Sequence, residues 1–173
     1  MSDAVRSVDP WRFAGSLLAK VLGGVIPETP SHAPIPWTPV AKPLAASKVA
    51  LLSTAGLSMK SDVPFDMEYE RRRPTRGDSS WRGLSADATS ADIDANHLHI
   101  DTGYIERDLN VALPLSRLRE LVAEGRVGAM ADTHYSIMGY QGSDTTALLT
   151  QSAPEIAASM QREEVDLALL APV

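Results

Sequence analysis

The sequence predicts an α/β domain with a mostly parallel sheet and flanking helices, and three observations support this fold class. The 173 residues are 44% hydrophobic but only 5% aromatic, which suits an aliphatic α/β core. Short apolar runs alternate with amphipathic stretches of helical period. The last run, 165–173, is almost entirely apolar, as is typical of a central parallel strand. Because such a strand normally leads into a crossover helix, we expect a domain that is incomplete at its C-terminus.

Three regions follow one another along the chain. Asp9-Pro10 favours a helix start, so residues 1–24 contain a predicted amphipathic helix that ends at Gly23-Gly24. Residues 25–46 hold six of the 12 prolines, which excludes helix and central strand and predicts an extended arm. Residues 47–173 form the N-terminal part of the predicted α/β domain.

The first half of this domain is predicted to contain one clear strand. The apolar run 48–55 is that strand, and Gly56 ends it. Residues 57–90 are rich in Arg, Asp, Ser and Pro, so we expect a long irregular loop. Residues 92–101 are interpreted as a second strand.

The second half alternates helix and strand. Leucines at helical spacing predict a helix over 114–124, with Gly125 as its stop. A strand is expected from residue 127. Ser152 and Glu155 have capping-box spacing and predict the start of a helix that buries Ile156. The terminal strand follows.

Composition excludes several function classes. A net charge of −6 gives no electrostatic basis for binding nucleic acid or an anionic membrane. The 173 residues contain no cysteine, which excludes a disulfide, a thiolate metal site or a Cys nucleophile among them. No apolar stretch is long enough to cross a membrane, and no signal peptide is recognisable. We therefore expect a cytoplasmic protein.

The strongest local candidate for chemistry is His97-Leu98-His99-Ile100-Asp101. If this segment is extended, His97, His99 and Asp101 share one face, where they could transfer protons, orient a substrate or bind a metal with His134. Asp108 is a further catalytic candidate. The alternative is a set of locally hydrogen-bonded polar residues, and we assign no metal.

Two residues are candidates for substrate binding. Arg82 could hold a carboxylate through a bidentate contact, or form a surface salt bridge instead. Asn110 lies in Asp108-Leu109-Asn110, whose alternative role is turn formation and capping before the next helix. Met138-Gly139-Tyr140-Gln141-Gly142 follows a predicted strand and could bring backbone N–H groups close to a ligand.

Taken together, an ordered set of short motifs resembles the selenoprotein B family of the glycine/sarcosine/betaine/D-proline reductases. The resemblance covers roughly residues 35–173. Its motifs are Pro36-Trp37-Thr38-Pro39, residues 49–56, Pro64-Phe65-Asp66, residues 77–82, His97-x-His99-x-Asp101, Asp108-x-Asn110, Gly125-x-Val127-Gly128 and residues 134–139.

The resemblance implies an oxidoreductase that reductively cleaves a C–N bond, with a disulfide/dithiol couple as redox partner. It places a nucleophilic selenocysteine directly after Val173, followed shortly by a cysteine, and the simplest explanation of the chain's end is a UGA codon translated as a stop. It also implies a small-molecule amine substrate, a pyruvoyl group on a partner subunit and a thioredoxin-like or other dithiol donor. Because the 173 residues lack the redox motif, we expect them to be inactive alone and poorly stable.

Two other classes of function remain open. One is a metal-dependent hydrolase or lyase that uses His97, His99 and Asp101 with His134. The other is a non-catalytic α/β binding module whose N-terminal helix docks on a partner.

Overall fold

The computed structural model describes residues 38–73, 76–142 and 144–173. The chain divides into two units, Met1–Thr38 and Pro39–Val173, and every element given below belongs to the second. The predicted N-terminal helix and most of the proline-rich arm lie outside the described residues.

The described part of the chain contains seven strands and four α-helices. The strands are β1 (Lys48–Ser53), β2 (Leu57–Met59), β3 (Trp81–Ser85), β4 (Ile93–Ala95), β5 (Ala129–Met130), β6 (Thr133–Ile137) and β7 (Leu167–Ala171). The α-helices are α1 (Met67–Arg72), α2 (Gly103–Arg107), α3 (Leu115–Ala123) and α4 (Ala153–Arg162). Short 3₁₀ turns form at Leu44–Ala46 and Leu109–Val111, and a π-helical turn, Leu148–Ser152, precedes α4.

The main sheet is mostly parallel, which confirms the predicted fold class. Strand β1 pairs in parallel with β5, β6 and β7, while β3 joins the far side of β6 in antiparallel orientation. Strands β2 and β4 form a separate antiparallel pair. Parallel strands require crossover connections, and α3 and α4 occupy those connections.

Helices cover the main sheet on both faces because β1 is apolar on both. Val49 and Leu51 point into the larger core, which contains Leu115 and Leu118 of α3. Ala50 points into the smaller core with Ile156 of α4. The predicted helix over 114–124 is thus confirmed, and Gly125 follows it with a φ of +70°, a conformation that glycine adopts without steric cost.

The predicted loop 57–90 and strand 92–101 were partly wrong. The loop region contains β2, α1 and β3, and only residues 93–95 of the second segment are extended. Strands β2 and β4 are three residues long and pair across a large sequence separation, so neither has enough residues to show periodicity. Asp66 caps the start of α1, because its carboxylate accepts a hydrogen bond from Tyr69 N–H at 2.8 Å.

The capping box predicted at Ser152 was also wrong. Ser152 is helical, and its hydroxyl donates to the Ser79 carbonyl oxygen at 2.6 Å instead of capping α4. The helix starts earlier and includes a π-helical turn that ends at Ser152, two residues before Pro154. Because proline has no N–H to donate, it favours such a local change in the helical hydrogen-bond ladder.

The terminal strand was predicted correctly, but its predicted burial was not. Strand β7 is paired over its whole length with β1, from Val49↔Leu167 to Ser53↔Ala171. Its other side has no strand partner among the described residues, and Leu169 and Leu170 are 49% and 63% exposed.

Candidate functional site

The carboxyl ends of β1, β6 and β7 meet at one edge of the main sheet, here called the carboxyl edge. Thr54, directly after β1, accepts a hydrogen bond at Oγ1 from Val173 N–H at 2.8 Å and donates to the Val173 carbonyl oxygen at 3.3 Å. Gly139, just beyond β6, lies so close to Thr54 that a Cβ there would be 3.1 Å from Oγ1. In open α/β sheets, ligands bind beyond the carboxyl ends of the strands.

A loop carrying both candidate histidines is attached close to this edge. This histidine loop, residues 96–102, begins with Asn96, whose backbone N–H and side-chain Nδ2 both donate to the Gly56 carbonyl oxygen. Gly56 has a φ of +63°, and a side chain there would overlap the Asn96 carbonyl group. The two segments therefore approach each other closely because residue 56 is glycine.

His97 and His99 are neighbours in the loop, although the loop is not an extended strand. The backbone N–H of His99 donates to Nδ1 of His97 at 3.0 Å, and the ring centres are 5.9 Å apart in an edge-to-face arrangement. Burial lowers the pKa of His97; Glu70 opposes this shift and His99 adds to it.

Glu70 is a member of this group that the sequence did not reveal. It lies on α1 with its side chain 3% exposed, and its Oε1 is 3.5 Å from Nε2 of His99. Its Oε2 is buried without a hydrogen-bond partner among the described residues. Three flanking arginines, Arg71-Arg72-Arg73, are typical of a solvated surface. Met67 and Glu70, however, are three residues apart and therefore share one face of a helix capped by Asp66.

The other acidic candidates and Asn110 shape the local chain. Asp101 accepts a hydrogen bond from Gly103 N–H at 3.0 Å at the start of α2. Asp108 accepts from Asn110, through its side chain at 2.7 Å and its backbone N–H at 3.0 Å, and these bonds lower the pKa of Asp108. Asn110 Oδ1 in turn accepts from the Ser116 backbone and hydroxyl, so it caps α3.

Arg82 is bound within the protein. Its side chain is 12% exposed, and its guanidinium carbon lies 4.4 Å from the centre of the Phe65 ring. Its five N–H groups contact the carbonyl oxygens of Val63, Pro64 and Trp81, the Ser80 hydroxyl and the Asp78 carboxylate. This geometry favours a role in fastening the 63–65 segment to β3.

His134 lies within the sheet. Between β5 and β6 the chain uses two extra residues, since Val49 pairs with Met130 but Leu52 pairs with Tyr135. At this bulge His134 Nδ1 accepts the Leu51 backbone N–H at 2.9 Å. No group of three or more His, Asp or Glu side chains in the described residues could hold a metal ion, so the proposed metal set with His134 does not form.

Comparison with known proteins places these features in a family. The family model described as glycine/sarcosine/betaine reductase selenoprotein B matches residues 26–172. This chain belongs to the selenoprotein B family. The D-proline reductase subunit gamma of Acetoanaerobium sticklandii is 35% identical over 145 residues, which is 84% of this chain and 55% of that protein.

Two glycine reductase complex component B gamma subunits are also similar. That of Carboxydothermus hydrogenoformans is 28% identical over 162 residues, covering 92% of this chain and 36% of the relative. That of Symbiobacterium thermophilum is 28% identical over 141 residues, covering 82% and 32%. The chain thus spans between about a third and just over half of these selenoprotein B relatives. No solved structure is significantly similar to it.

Among the described residues, no helix is both long and apolar enough to cross a bilayer.

Proposed function

We propose that this chain contributes to an oxidoreductase subunit that reductively cleaves a C–N bond, with a disulfide/dithiol couple as its redox partner. The proposal is supported by family membership and by one structural observation, the shared carboxyl edge of β1, β6 and β7. The resemblance places the selenocysteine directly after Val173. A selenol is more acidic than a thiol, so it would supply an ionised nucleophile at neutral pH.

The contacts at Thr54 support this placement. Because Thr54 bonds both the N–H and the carbonyl oxygen of Val173, the main chain at residue 173 has a defined direction. A residue that follows would extend from the carboxyl edge, where open α/β sheets hold their ligands. Asn96 fastens the histidine loop to Gly56, three residues beyond β1, and this contact supports assigning the candidate histidines to the same end of the sheet.

We assign the candidate residues two kinds of role. His97 and His99 would orient the substrate or move a proton. Asp101, Asp108, Asn110 and Arg82 would support the site by holding the loops around it, because their hydrogen bonds are made to neighbouring segments.

The names of the relatives support protein partners, because these relatives are subunits of reductases. The specific partners come from the family resemblance, which implies a pyruvoyl-bearing partner subunit and a thioredoxin-like or other dithiol donor, and we propose both, in the cytoplasm. Small amines would be the substrates, and D-proline, glycine, sarcosine and betaine are the first to test.

Reconstitution of the complete reading frame tests the proposal. The frame is expressed with selenium incorporation, combined with the pyruvoyl-bearing subunit, and assayed for dithiol-dependent consumption of each amine. A matched protein has serine in place of the selenocysteine. We expect turnover of one amine by the selenium protein, and none by the serine protein or by the 173 residues alone. Equal turnover by the selenium and serine proteins would overturn the proposal.

A further inference from the structure

A cleft of about 620 Å³ lies beside β4, and His97 is part of its wall. Lys60, Arg71 and Thr102 also line it and can donate hydrogen bonds, whereas the side-chain amide of Asn96, another wall residue, already donates to Gly56 and Ser58. The acidic side chains in the wall are Asp94 and Glu106. The cleft can therefore offer several donors to a small ligand that carries an oxygen acceptor.

The hydrogen bond to His97 determines which of its ring nitrogens can face such a ligand as a donor. Nδ1 accepts the His99 backbone N–H at 3.0 Å, so Nδ1 carries no hydrogen while this bond exists. In the neutral ring the hydrogen then lies on Nε2. Protonation at Nδ1 would break the backbone bond and disturb the loop. The geometry thus holds His97 as a neutral N–H donor.

The contact between Glu70 and His99 supports the hydrogen bond that His99 makes to His97. Glu70 is almost completely buried, and its Oε1 is 3.5 Å from the Nε2 of His99. His99 also donates its backbone N–H to Nδ1 of His97, so the same residue contacts both Glu70 and His97. A contact between a buried carboxylate and an imidazole sets the orientation of the ring. Glu70 therefore acts on His97 through His99, as a positioning residue.

We propose that His97 donates its Nε2 hydrogen to a carboxylate oxygen of a small ligand in this cleft, with the Glu70–His99 pair holding the histidine loop in the donating geometry. The inference rests on the assignment of the histidine loop to the substrate site. It favours substrate orientation over proton transfer as the role of His97.

The electrostatic surroundings agree with a neutral ring. Burial lowers the pKa of His97, and this outweighs the opposing effect of Glu70. The charged or titratable groups around it are Glu70 from α1, His99 from the loop, and Lys60, Arg71, Asp94 and Glu106 from the cleft wall. Removing the charge of Glu70 lowers the pKa of His97 further, because Glu70 is the group that raises it.

Nuclear magnetic resonance of ring nitrogens tests the state of His97 without any turnover. The chain is labelled with ¹⁵N-histidine and compared as wild type, Glu70→Gln and the control Glu68→Gln. Glu68 lies on the same helix but is 59% exposed and pairs with Arg71 and Arg72. We expect His97 to carry its hydrogen on Nε2 near pH 7, and Glu70→Gln alone to move its protonation to lower pH. A hydrogen on Nδ1, or equal titrations in all three proteins, would overturn the proposal.

Acetate, the simplest stable carboxylate with an apolar end, is the probe for ligand binding. We expect a saturable shift of the His97 Nε2–H signal in the wild type and in Glu68→Gln, and a higher acetate concentration at half-saturation in Glu70→Gln. Absence of a saturable shift, or equal half-saturation in all three, would contradict the proposal. If Glu70→Gln does not fold, His99→Asn is the second variant, because it removes the imidazole that contacts the Glu70 carboxylate. If the reconstituted protein consumed no amine but the resonance and acetate results were as expected, the proposed function would be refuted and the role of His97 would stand.

Discussion

Acid should destabilise this protein through His134, which lies near the start of β6, just after the two extra residues that follow β5. Its side chain is fully buried, and burial lowers its pKa to about 4. Its Nδ1 accepts the Leu51 backbone N–H, so the folded protein requires the neutral ring. The unfolded chain has an ordinary histidine with a pKa of about 6.5 and binds the proton more readily. Stability from this group is therefore complete above about pH 6.5 and is lost as the pH falls toward 4.

The magnitude follows from the two pKa values. Each pKa unit is worth about 1.4 kcal/mol, so the gap between about 6.5 and about 4 corresponds to about 3 kcal/mol. Between about pH 7 and about pH 5, about 2 kcal/mol of this is lost, because the unfolded histidine is then almost fully protonated while the folded one is still neutral. This loss is a large fraction of the stability of an ordinary domain.

Urea unfolding of the wild type and His134→Asn at both pH values measures this contribution. The Oδ1 of asparagine lies near the position of Nδ1, so the variant can still accept the Leu51 N–H but cannot titrate. Carboxylates titrate alike in both proteins and cancel in the comparison. We expect the variant to lose about 2 kcal/mol less than the wild type between the two pH values. Equal losses in the two proteins would refute the reasoning.

Three further predictions concern other parts of the structure. Gly56→Ala should lower the free energy of unfolding by about 2 kcal/mol or more, because φ at residue 56 is +63° and the Asn96 carbonyl group occupies the position of the added Cβ. Gly125→Ala should lower it by about 1 kcal/mol, because only the positive φ is unfavourable there and the space is open. Equal shifts of the urea midpoint in the two variants would contradict this. Arg82→Lys should destabilise by about 2 kcal/mol because lysine cannot reproduce the five contacts, and an unchanged midpoint would contradict it. Thr54→Val should speed hydrogen exchange of the Val173 amide roughly 3- to 10-fold, because valine cannot accept the hydrogen bond that Thr54 Oγ1 accepts from Val173 N–H. Thr54→Ser keeps the hydroxyl and should leave the exchange rate unchanged, so equal rates in the two variants would contradict this hydrogen bond.

The main sheet and its helices could be predicted because the spacing of apolar residues along the sequence indicates which side chains are buried. Residues 49–52 are apolar on both faces, and the structure buries Val49, Ala50 and Leu51 between two layers of helix. The leucines of α3 recur at helical spacing, and the structure buries Leu115 and Leu118. In these segments the local pattern and the tertiary environment agree.

The small sheet and the position of β7 depend on pairing, which local patterns do not contain. Leu57 pairs with Ala95, and three-residue strands give no periodic signal. The apolar composition of β7 indicates a strand but not which neighbours it has. Its pairing partner in the described residues is β1.

The candidate site was predicted in part. The resemblance and the motif singled out His97 and His99, and the structure brings their rings within 5.9 Å of each other. Glu70 was missed because a charged residue beside three arginines is normally solvated. Its burial is a tertiary feature that no local pattern encodes, and His99, at 3.5 Å, is 29 positions away in the sequence (99 minus 70). His134 was considered as a metal ligand, and its role in the sheet depends on a bulge that only the pairing register reveals.

The most direct test of the proposed function is the sequence of the messenger downstream of the Val173 codon. We expect a UGA codon followed shortly by an in-frame cysteine codon and by a continuing reading frame. A UAA or UAG codon with no reading frame behind it would contradict the placement of the selenocysteine after β7, and with it the proposed reductase chemistry of this chain.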